Sequence, residues 1–66
     1  MSENAARQFQ SMAEGLISTG MVMREIAEEA SLSVATVFRA IHGDSRKPSF
    51  ETYTKLEILW KKRGKP

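Results

Sequence analysis

The chain has no cysteine, one histidine, two prolines and four glycines in 66 residues. Without cysteine there is no disulfide framework and no thiolate metal site, a pattern that fits a reducing interior. One histidine and no glycine-rich phosphate loop leave little from which to assemble a catalytic centre. An enzyme is therefore the least favoured class, and no cofactor or metal is expected. No stretch approaches the roughly 20 apolar residues that cross a bilayer. The start, MSENAARQF, has neither a basic leader nor a continuous apolar run of the kind that marks a signal peptide. The expected location is the cytoplasm. There is no internal repeat and no low-complexity segment.

A chain of this length makes one domain, residues 1–66. Such a chain buries only about 60% of the surface that its unfolded form exposes, so its core is thin and local helical packing is the expected way to build it.

What is present is organised around residues 23–42, MREIAEEASLSVATVFRAIH. Apolar residues recur at Ile26, Ala27 and Ala30, and again at Val37, Ala40 and Ile41. Each set has helical spacing, and a short polar break around Leu32 separates them. Two short helices joined by a tight turn, both packed on Leu32, satisfy this pattern. Ser33 stands where its hydroxyl can cap the second of them, and Gly43 follows where a helix stops. A short helix with a partly polar outer face fits the DNA major groove.

Around this pair the spacing predicts a first amphipathic helix over residues 5–18, with Phe9, Met12, Ala13, Leu16 and Ile17 on its core face. Gly15 permits a neighbouring helix to come close, and Gly20 ends the segment. The second helix is expected over 22–30 and the third over 33–42. After the loop GDSRKPS at 43–49, Ser49 caps a fourth helix over 50–62. Phe50, Tyr53, Leu56, Leu59 and Trp60 form its apolar side, and Ile58 falls off that stripe. An apolar patch at Ile58 and Trp60 would mark a partner surface. Residues 1–4 and 63–66 are expected to be loose ends. The expected fold is all-α: a compact bundle of four or five short helices containing a helix-turn-helix.

Charge is divided unevenly along the chain. Net charge is +2. Residues 1–31 hold two arginines against five glutamates, a balance of −3, and residues 32–66 hold eight Lys or Arg against three acids, a balance of +5. A phosphate-facing surface would show such a division, and so would an ordinary basic tail. On the second helix, Arg24, Glu25, Glu28 and Glu29 read as a solvated face with Arg24 and Glu28 as an i,i+4 pair. That face should point away from any nucleic acid.

The run ExAxxAxLSxxTVxRxI, formed here around Ile26, Ala27, Ala30, Leu32, Ser33, Thr36, Val37, Arg39 and Ile41, resembles the helix-turn-helix of phage Cro and repressor proteins and of lac-repressor-type headpieces. The following KPSFETYTKL looks like the next helix of Cro-like domains. Two positions depart from the pattern. Ser31 stands where the family has a glycine in a left-handed turn. Val22 stands where a capping serine or threonine is common, which leaves open a helix start at Thr19 or Gly20.

The resemblance implies that bases are read from the start of the third helix and one turn later. This selects Val34, Ala35 and Arg39, with Phe38 on the same side. Arg39 can fork onto guanine, whereas Val34 and Ala35 can touch only thymine methyls or select by shape. Ser33, Thr36, Met23 and Arg24 are candidate phosphate contacts, as are Arg46 and Lys47 of the following loop. His42 is first a helix-end histidine favoured by the dipole and second a phosphate contact. For Phe38 three placements are open: a thymine methyl, the core under the loop after Gly43, or another protein.

The leading expectation is a sequence-specific transcriptional regulator similar to small phage Cro-type repressors. It would bind duplex DNA as a dimer on a palindromic operator, with Ile58, Leu59 and Trp60 at the dimer surface. The alternative is an antitoxin-type interaction module that neutralises a protein partner and also binds DNA.

Overall fold

Four helices follow in chain order: α1 (Ser2–Ser18), α2 (Met23–Ala30), α3 (Val34–Ile41) and α4 (Phe50–Leu59), the last continuing into a π-helical turn, Trp60–Gly64. The computed structural model describes residues 2–44 and 48–64, and every regular element among them is helical. The fold is an all-α bundle. α1 and α2 each pack against both α3 and α4.

The helix ends follow the local chemistry. The Ser33 Oγ accepts from the Thr36 backbone N–H at 3.1 Å, and the Ser49 Oγ accepts from the Thr52 N–H at 3.1 Å. Each hydroxyl satisfies a donor that the first helical turn leaves free. Val22 is the residue before α2, so the helix starts there and not at Thr19 or Gly20. Valine has no acceptor, so only half of a capping box is made: the Val22 N–H donates to Glu25 Oε1 at 3.1 Å.

α2 and α3 end in the same way with different residues. At α2, Ser31 N–H donates to Glu28 O at 3.3 Å and Leu32 N–H to Ala27 O at 2.8 Å; at α3, Gly43 N–H donates to Ala40 O at 3.2 Å and Asp44 N–H to Arg39 O at 2.8 Å. These are paired Schellman closures, which require a left-handed residue at the pivot. Gly43 takes φ 76° and Ser31 takes φ 59°. A serine therefore takes at the end of α2 the left-handed conformation that glycine takes at the end of α3.

The core is Phe9, Met12, Ala13, Leu16, Met21, Ile26, Ala27, Ala30, Val37, Ala40, Leu56 and Leu59, with Met23, Leu32, Ile41, Tyr53 and Trp60 partly buried against it. Burial of each large apolar side chain contributes about 1.5–3 kcal/mol. Polar bonds tie the helices at their edges. Gln10 Nε2 donates to the Ile41 carbonyl at 3.1 Å, and the Tyr53 hydroxyl donates to Gln8 Oε1 at 2.6 Å.

Several expectations need correction. Ile17 and Phe50 are exposed. Phe50 sits in the first turn of α4 at i, i+4, i+8 spacing with Thr54 and Ile58, so it shares their outward face and not that of Leu56 and Leu59. α1 extends back to Ser2, into the stretch expected to be loose. Arg63, expected in the loose tail, is instead held to α2, its Nη2 lying 3.1 Å from Glu29 Oε2. Among the described residues Arg24 and Glu28 form no ion pair, and the carboxylate of α2 that is paired is Glu29.

Candidate nucleic-acid interface

The α2–turn–α3 unit presents two unlike sides. Ile26, Ala27 and Ala30 of α2 and Val37 and Ala40 of α3 are buried. This apolar face fixes how the two helices sit on the rest of the bundle. The opposite side of α3 carries Val34, Ala35, Phe38 and Arg39, all exposed. Eight residues make a helix about 12 Å long.

Phe38 is 46% exposed, which overturns its placement in the core. The i,i+4 spacing sets it beside His42: the two ring centroids are 4.0 Å apart, with the planes tilted by 35°. The pair forms an aromatic ridge along the second half of α3. Val34, at 47% exposure, extends the apolar surface to the first turn.

Arg39 lies along its own helix. Its Nε donates to the Ala35 carbonyl at 3.4 Å, and among the described residues no carboxylate pairs with it. The terminal nitrogens of its guanidinium therefore remain free to form a fork. Helix α3 carries no acidic residue, so nothing on this element repels a polyanion.

The candidate phosphate groups differ in availability. The Ser33 and Thr36 hydroxyls lie 2.8 Å apart, and Ser33 is already engaged as the cap. Thr36 and Met23 are half-buried, with Met23 packed against the core, while Arg24 and His42 are exposed. Arg46 and Lys47 lie outside the described residues.

The expected partner surface on α4 is rearranged. Leu59 is buried in the protein's own core, and Trp60 packs against that core. Neither is available to a partner in the way Ile58 is, at 61% exposure. The residue that sequence reasoning missed is Phe50, 86% exposed. It borders an apolar groove of about 400 Å³ lined by Ala5, Pro48, Phe50, Tyr53, Thr54 and Glu57. The signal was in the sequence: Ile58 off the stripe, and Phe50 eight residues before it.

Among the described residues no group of three or more His, Cys, Asp or Glu gathers into a metal-binding cluster. No helix among them is long and apolar enough to cross a membrane. No known protein family, curated protein or solved structure matches the chain.

Proposed function

We propose that the protein is a sequence-specific DNA-binding transcriptional regulator that inserts α3 into the major groove, in the manner of a small Cro-like repressor. The observation that carries this reading is the outward row Val34, Ala35, Phe38 and Arg39. It stands on a helix pair anchored from behind by buried Ile26, Ala27, Val37 and Ala40. A helix of this width fits a groove about 12 Å wide, and the free fork of Arg39 suits the two acceptors of guanine. The basic bias of residues 32–66 supplies the sequence-independent attraction to phosphate.

One short helix reads few base pairs, so the regulator works as a two-fold dimer whose reading helices are about 34 Å apart on a palindromic site. Exposed Phe50 and Ile58 on α4 suit the dimer contact. Bound at a promoter, the dimer would exclude polymerase.

Selection from random duplexes tests the reading. The expected result is a palindromic motif with half-sites one helical turn apart and an affinity that falls steeply with salt. Equal, negligible affinity for all duplexes at low salt would remove the reading. The same exposed Phe50 and Ile58 favour a second reading, an antitoxin-type module whose α4 face covers a protein partner. A stoichiometric complex that survives high salt and displaces the self-dimer would select it.

A further inference from the structure

The geometry points to a reading surface for the C5-methyl groups of thymine, formed by Val34, Ala35 and Phe38, with Arg39 as the one hydrogen-bonding reader among them. This inference rests on the DNA-binding reading above and names what that surface recognises.

Hydrogen bonding to a base edge needs a side chain that carries a donor or acceptor and is not already committed. Ser33 is occupied as the helix cap, accepting from the Thr36 N–H at 3.1 Å, and its hydroxyl also lies 2.8 Å from that of Thr36. Val34, Ala35 and Phe38 have no polar side-chain atom. They are all exposed, so the bundle does not use them for its own core. On the outer row only Arg39 remains with a free polar end.

An apolar surface in the major groove meets one apolar feature of the four base pairs, the methyl group of thymine. Val34 and Phe38 stand four residues apart on one helix face and so follow one another along the groove. The ring of His42, 4.0 Å from that of Phe38, holds one side of the aromatic ridge. The rest of the Phe38 ring, 46% exposed, is left open to a methyl group. The surface is charge-compatible with DNA because α3 has no acid and carries Arg39 in its last turn. The site that fits is a guanine, for Arg39, flanked by at least two thymines on either strand.

Replacing thymine by deoxyuridine tests this directly, because it removes the methyl group and leaves every base-pair hydrogen bond. The full chain is first used to select a duplex from a random pool. Each thymine of that duplex is then replaced singly, and affinity is measured at one fixed salt concentration. At two or more positions per half-site, loss of the methyl should weaken binding about fourfold. The variant Phe38→Ala should be indifferent to one of these replacements while keeping the helical circular dichroism of the parent.

If every deoxyuridine duplex binds as tightly as the selected one, the methyl-reading surface is refuted, although sequence-specific binding stands. Selection only from pools carrying 5-methylcytosine, with deoxyuridine silent, also refutes it. A chain that selects no duplex at all refutes the underlying DNA reading instead.

Discussion

The indole of Trp60 lies over the bare backbone of Gly15, so close that a β-carbon at position 15 would collide with its Cζ3 and Cη2. A second glycine, Gly64, approaches the same indole within the π-helical turn. The contact locks the end of α4 onto the last turn of α1, and it makes Trp60 a fold residue. Gly15→Ala would add about 1 kcal/mol of helix propensity but overpack the site at a cost of about 1–3 kcal/mol. The variant is expected to be less stable in urea, with altered emission from the single tryptophan. A more stable Gly15→Ala protein with unchanged emission would show that the ring is not held there.

Ser31 carries a different kind of strain. A left-handed backbone costs a residue with a side chain about 1–2 kcal/mol, while glycine loses about 0.5–1 kcal/mol more entropy on folding. Ser31→Gly should therefore stabilise the protein by up to about 1 kcal/mol, and thermal unfolding reads this as a rise of several degrees. Ser31→Val should move the midpoint the other way, since a β-branched side chain tolerates this conformation worst.

Arg39→Ala should weaken binding to a selected operator by about 1–3 kcal/mol and relax preference at one base pair. Arg39→Lys should not restore it, because an ammonium group cannot make the planar fork. Titration against operators that differ at single positions measures both effects. Retention of full specificity by the alanine variant would take Arg39 off the reading surface.

Ile58→Glu should convert a dimer to monomer in sedimentation without changing the helical signal, because Ile58 is outward and contributes little to the core. Phe50→Ser should do the same to a comparable degree, since both residues stand on one face of α4. A dimer that survives both changes does not use this face.

Loss of the cap on α3 can be weighed separately. Ser33→Ala removes the acceptor for the Thr36 N–H and should cost about 1 kcal/mol of stability. Chemical denaturation measures it. A Ser33→Asp variant should recover the stability, since a carboxylate accepts the same bond.

Much of this was written into the sequence because its cause is local. The spacing of Ile26, Ala27 and Ala30 and of Val37, Ala40 and Ile41 depends only on helical periodicity, and the all-α bundle follows from it. The Ser33 and Ser49 caps and the stops at Gly20 and Gly43 are contacts made within a few residues, whereas the left-handed backbone of Ser31 is seen in the structure. Three-dimensional packing alone decided which borderline side chains are covered. Phe38 could have tucked under the following loop, yet it stays outside against His42. Phe50 can be placed by periodicity either with Leu56 and Leu59 or with Ile58, eight residues further on; α1 and α2 cover the Leu56 and Leu59 side of α4 and leave Phe50 in solvent. Glu29 finds Arg63 across 34 positions of sequence, a pairing no local pattern encodes. Periodicity tells which residues of one helix share a face; the neighbouring helices determine how wide a strip of that face is buried.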